Sequence, residues 1–232
     1  MKVSSRALKT VIREQLLATD FEAACTAVAS HGARRVINIL ISFYCHPDPL
    51  VRWRAIEATG RVVSGHAETH MESARVIMRR FLWMLNDESG GIGWGVPEAM
   101  GETMARSESL CAEYHRVFLS YVQPACNFLE HPILQRGLLW GIGRLAQARK
   151  DLVIPVLPEI SPFLFSDDPY HRGFAAVIFG AAGQFPPHGE PEGAEGERLS
   201  LLCRDETEIE VYGEHVIKRK TVGEICRAAR PE

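Results

Sequence analysis

Two histidines, His66 and His70, stand four apart, a spacing that places both rings on one helical face and makes half of a zinc site. Glu68 does not directly follow the first histidine, so the His-Glu-x-x-His pattern of a zinc hydrolase is not formed, and no metal is expected. Glu57 and Glu98 are the paired carboxylates to watch, because they fall at equivalent places in a repeated segment, and neighbouring acids in an apolar groove differ in pKa. Solvated helix faces are their plainer role. The glycine-rich stretch GGIGWGVPEAMGE at 90–102 has no following Gly-Lys-Ser/Thr and no preceding strand, so it is not a phosphate loop. Nucleophilic catalysis needs a base and an orienting acid brought together from distant positions, and no such set is marked along the chain. No catalytic residue and no cofactor are assigned from the sequence. The cysteines at 25, 45, 111, 126, 203 and 226 form no Cys-x-x-Cys pair and sit mostly in apolar helical patterns, which points to reduced, buried thiols.

Binding chemistry is better represented. Trp53 and Trp94 each follow a repeat mark by four residues, and Trp140 falls one turn further along in the third copy. Tryptophans at equivalent positions would form an aromatic wall on a concave surface, or else pack between repeats as core. Arg52, Arg54, Arg136 and Arg172 stand near helix starts, where they would present cations to a ligand or brace neighbouring turns against Asp48, Asp167 and Asp168. The candidate groove therefore comprises Trp53, Trp94, Trp140, Glu57, Glu98, Arg54 and Arg136.

The elements that position these residues recur. Pro49 to Gly60, Pro132 to Gly143 and Pro169 to Gly180 are each eleven residues apart with an apolar helical pattern between them. Gly90 to Gly101 is the second copy in chain order, with glycine in place of the proline, so the terminal glycines step by 41, 42 and 37 residues, a spacing of paired-helix repeats. The pattern predicts helices at 3–18 and from Asp20 to about His31, as a capping pair. Further helices are expected at 34–45, 49–63, 68–85, 93–104, 109–122, 132–147, 151–165 and 169–182. After Gly183, the stretch QFPPHGEPEGAEGE reads as a linker. LSLLC, EIEVY and HVIKRKTV are rich in β-formers, with a hairpin turn at Gly213, and TVGEICRAA starts a helix.

Apolar residues make up 46% and charged residues 24%, values of an ordinary globular chain of 232 residues. No apolar run is long enough to span a bilayer, and Arg13, Glu14 and Asp20 interrupt the first twenty residues where a signal peptide would be apolar, so a cytoplasmic location is expected and no membrane partner. The net charge of −3 is uneven. Residues 188–214 hold nine acids against Arg198 and Arg204, and the repeat body is near neutral. A nucleic-acid partner is disfavoured by that balance.

HPDPLVRWRAIEATG (46–60), EHPILQRGLLWGIG (130–143) and DDPYHRGFAAVIFG (167–180) resemble the HEAT repeat, over roughly residues 33–183. The first is most similar to the HEAT-like units of phycobilin-lyase-type proteins. HPDPLVRWRA and WGVPEAMGE also resemble strings of an uncharacterised bacterial HEAT-like family. The resemblance implies a mostly α fold, a HEAT-like α-solenoid of about ten to eleven helices with a small C-terminal β-hairpin and helix appendage. Its implied divisions are a solenoid over 1–183, an acidic linker over 184–198 and the appendage over 199–232. HEAT-like proteins include scaffolds, tetrapyrrole-handling lyases and chaperones, and a class of DNA glycosylases. The expected function is a non-enzymatic scaffold that binds a protein or peptide on its B-helix surface, with a small-molecule ligand as a further possibility. A tetrapyrrole-handling protein is the alternative, and a DNA glycosylase, disfavoured by charge, the second.

Overall fold

The structure, a computed structural model, describes residues 4–87, 93–185 and 193–230. Among the described residues helices dominate, joined by one two-stranded sheet near the C-terminus. The repeat marks are helix caps. Asp48, His131 and Asp168 each accept, through the side chain, the backbone N–H two residues on, and a proline follows at the first helical position, where its missing donor costs nothing. The fold is thus mostly α, with three of its helices opened by the same cap and proline. Among the described residues no helix is long and apolar enough to cross a membrane.

Two compact units divide the chain: Met1–Glu113 with Glu214–Ile217, and Tyr114–Gly213 with Lys218–Glu232. In the first, α1 (Ser5–Leu16) and α2 (Phe21–Ser30) form the expected cap pair, with Asp20 capping α2. α3 (Ala33–Ile41) ends four residues earlier than predicted. α4 (Pro49–Leu85) runs through the expected gap at 64–67 and breaks instead at His70, whose φ of −139° and ψ of 55° leave the helical region. α5 (Val96–Arg106) starts three residues later than predicted, because Gly95 caps it at φ 73°. A Cβ on Gly95 would also lie 3.0 Å from the Tyr44 ring and 3.1 Å from Ile56, so both backbone angle and packing require glycine there. α6 (Glu108–Ser120) begins in this unit and ends in the second.

In the second unit α7 (Pro132–Val153) packs on α9 (Pro169–Ala181). The helix expected at 151–165 is a chain of short pieces, 3₁₀ turns Ile154–Val156 and Ser161–Phe165 around α8 (Leu157–Ile160), because Pro155, Pro158 and Pro162 remove one ladder donor after another. α10 (Gly193–Leu202) takes up residues given to the linker and most of LSLLC, given to a strand; the remaining linker residues 186–192 lie outside the described ones. β1 (Glu208–Gly213), β2 (Val216–Thr221) and α11 (Val222–Ala229) occur where the β-formers and TVGEICRAA predict them. α11 and β1 pack on α9, with Ile209 and Ile225 over Gly173. The boundary drawn at 183 follows composition, whereas packing carries the later elements onto the helix before it.

Candidate functional site

Trp53 lies in the second turn of α4 and Trp94 in the turn before α5, and both are half-buried, neither sealed in core nor fully in solvent. Glu98, at the third position of α5, has its Oε2 atom buried with no hydrogen-bond partner among the described residues. Burial pushes its carboxyl up to about 7, against the smaller opposing pulls of its own backbone N–H and the Arg52 charge. Tyr44 lies close enough for the Glu98 charge to act on it, and its hydroxyl donates to Thr59 Oγ1 at 2.8 Å, with burial keeping the phenol protonated. The glycines before α5 need no ligand to explain them. A Cβ on Gly93 would meet the Met84 carbonyl at 3.1 Å, and Gly95 is held by Tyr44 and Ile56; Gly90 and Gly91 lie outside the described residues.

Glu57 is not paired with Glu98 in a shared hydrogen-bond set but anchors a different cluster. Arg54, Glu57 and Arg61 recur at three- and four-residue steps and so share one face of α4. Arg61 Nη2 donates to Glu57 at 2.8 Å, and the same guanidinium grips both oxygens of Glu22 at 2.5 Å. That grip holds the Glu22 carboxyl below the usual range. Arg106 reaches Glu57 at 3.4 Å and Glu102 at 2.5 Å. Into this cluster comes His215, from the turn between β1 and β2: Nδ1 lies 3.0 Å from Glu57 and Nε2 3.1 Å from Glu22, and the ring sits 5.0 Å from Phe21.

Arg54 faces inward. Only 5% exposed, it donates to the carbonyls of Leu16, Ala18 and His215 at 2.8–2.9 Å, which satisfies the end of α1 and ties down the turn. It does not present a cation to a groove. Glu214 and His215 both have positive φ, 51° and 64°, the signature of a type I′ hairpin turn that usually takes Asn-Gly. Two ordinary residues held there are a local cost that the bonds to Arg54, Glu57 and Glu22 offset.

Donor atoms of Glu22, Glu57 and His215 lie within 4.8 Å of one another, and one imidazole with two carboxylates is a donor set that suits a divalent cation. Both acids are already compensated by Arg61, so an entering ion would have to break those bonds. The cluster fits an ion-pair latch for the turn better than a metal centre. His66 and His70 do share a face, with rings stacked at 4.8 Å, and burial lowers the His66 pKa.

In the second unit, Trp140 is half-buried on α7. Arg136 donates to Asp168 at 2.6 Å and stacks 4.5 Å from the Tyr170 ring, while Arg172 binds Asp205 at 2.8 Å and the carbonyls of Ser166 and Asp167 at 2.9 Å. Arg136 thus braces onto Asp168, one of the acceptors the sequence offers, whereas the ion pair of Arg172 is with Asp205. Cys25, Cys111 and Cys226 are buried, but Cys45 and Cys126 are exposed. Sequence reasoning missed His215, Glu22 and the exposed Trp83; only the Glu57/Arg61 and Glu102/Arg106 pairs, each four apart, carried a signal for the cluster.

No protein-family model matches the chain. An uncharacterized protein of Archaeoglobus fulgidus is 30% identical over 112 residues, 48% of this chain, and the chain spans 55% of that relative's length. Among solved structures, a designed armadillo repeat protein in complex with the peptide (KR)4 is similar over 96% of this chain and 97% of its own, at 13% identity and a TM-score of 0.49. The archaeal HEAT-like repeats protein from Thermococcus onnurineus NA1 is similar over 99% of both chains, at 13% identity and a TM-score of 0.35.

Proposed function

We propose that this chain is a peptide-binding module, and that the α4–α5 surface bearing Trp53, Trp94 and Glu98 receives the peptide. The observation that carries this reading is the Glu98 oxygen, a buried acceptor with no partner among the described residues, on the element that follows a half-buried tryptophan. Buried acceptors are nearly always satisfied, so a donor from a bound chain would complete the set. Tryptophan supplies large contact area at small entropic cost, the usual composition of a binding hot spot. Arg54 and Glu57 belong instead to the cluster around the His215 turn, and Trp140 and Arg136 to the second unit.

Selection of a displayed random peptide library on the full chain tests the reading. Peptides so obtained should bind the Trp53→Ala/Trp94→Ala variant at least about tenfold more weakly, ~1.4 kcal/mol, with the fold intact by circular dichroism. Trp83→Ala, at a residue 67% exposed elsewhere on α4, should bind them normally. Equal binding to the double variant would remove these tryptophans from the site.

A further inference from the structure

We propose that Cys203 and Cys226 form a redox site, a dithiol that small anionic disulfides such as oxidised glutathione convert to an internal disulfide. Their sulfurs lie 3.2 Å apart, closer than two unbonded sulfurs normally rest and about 1 Å beyond a bond. The approach is set by backbone on both sides rather than by two mobile side chains. Gly223 N donates to Asp205 O at 2.8 Å, Val222 N to Thr207 O at 2.9 Å, and Arg227 donates to the carbonyl of Cys203 itself. Gly223 permits this closeness, since a Cβ there would lie 2.8 Å from that carbonyl. All these groups belong to the second unit.

The two thiols are unequal in the way a sequential exchange needs. Cys203 is half-exposed just past α10, beside the cationic Arg227 and Arg204, which favour approach of an anionic disulfide. Cys226 is buried on α11, and its thiol donates to Leu199 O at 3.3 Å. Burial pushes that thiol up, so it is a poor first nucleophile. The Cys203 thiolate attacks one sulfur of glutathione disulfide, whose S–S bond breaks and releases one glutathione thiolate, leaving Cys203 in a mixed disulfide. Cys226 then gives up its proton and attacks the Cys203 sulfur, expelling the second glutathione thiolate. The protein loses two electrons and two protons, and one glutathione disulfide becomes two thiols. The new bond closes the loop that carries β1, the His215 turn and β2.

The test treats the full chain with oxidised glutathione, quenches with an alkylating reagent and maps the peptides by mass. Expected is the selective loss of alkylation at Cys203 and Cys226, with a linked peptide between them, no retained glutathione, and reversal by dithiothreitol. Cys226→Ser, unable to resolve the mixed disulfide, should hold one glutathione on Cys203. The proposal is overturned if the exposed Cys45 or Cys126 take up glutathione while Cys203 and Cys226 of the wild-type chain stay alkylatable. The same wild-type map decides the question should the serine variant fail to fold.

Discussion

His215 places its Nδ1 atom 3.0 Å from the Glu57 carboxylate, although 158 residues separate them along the chain. Neither residue acts alone: Glu57 is 8% exposed at its side chain and shared with Arg61 and Arg106, and His215 also reaches Glu22, which is 61% exposed. Removing a buried member of such a set strands the charges it compensated, whereas removing an exposed one lets water replace it.

Glu57→Ala should therefore lower the unfolding free energy by about 2–4 kcal/mol and Glu22→Ala by under about 1 kcal/mol, read from urea denaturation. Equal losses at the two positions would show that burial does not rank these ion pairs.

The His215 turn holds two residues at positive φ, so Glu214→Gly relieves a local cost. A gain of up to about 1 kcal/mol is expected in the same denaturation assay. A loss would mean that contacts of the Glu214 side chain outweigh the backbone term.

The caps at Asp48, His131 and Asp168 were readable because a capping side chain followed by proline acts within two residues, and the helix starts there came out correctly. The break at His70 was not, since nothing local in GHAETH separates a gap from a continuous helix with one distorted residue. Repeat register singles out Trp53, Trp94 and Glu98 because equivalent helix positions repeat, but it does not say what their side chains face. His215 was invisible because its partners lie on α2 and α4, and no local pattern records a contact across that separation. The same register points Arg54 to the groove; its inward turn depends on the carbonyls left open at the end of α1, which the sequence does not mark.

Repeat-end glycines should differ sharply in tolerance. At Gly180 a Cβ would collide with the Ala229 carbonyl of α11, while at Gly143 it would rest 3.6 Å from Val177, an ordinary contact. Gly180→Ala is expected to cost about 2 kcal/mol or more and Gly143→Ala to be neutral or stabilising by up to about 1 kcal/mol, helped by helix propensity. Thermal midpoints of the two variants check it, and similar midpoints would contradict the close approach of α11.

Glu98 gives stability a pH dependence of definite sign. Its folded pKa is raised from 4.5 to about 7, so the folded state holds a proton that the unfolded chain has lost. That contribution is fully present below the unfolded value and is lost as pH rises through about 7. Glu98→Gln should be more stable than the wild type by about 1–3 kcal/mol near pH 8, with the gap closing toward pH 4.5. A gap that does not change with pH would place the carboxyl in water.

Amide hydrogen exchange of the full chain, with and without a saturating peptide from the library selection, tests the central claim most directly. The account predicts slowed exchange at residues 49–57 of α4 and 94–100 around the start of α5, the segments that carry Trp53, Trp94 and Glu98. Slowing confined to the Trp83 end of α4, or to the second unit, would contradict it.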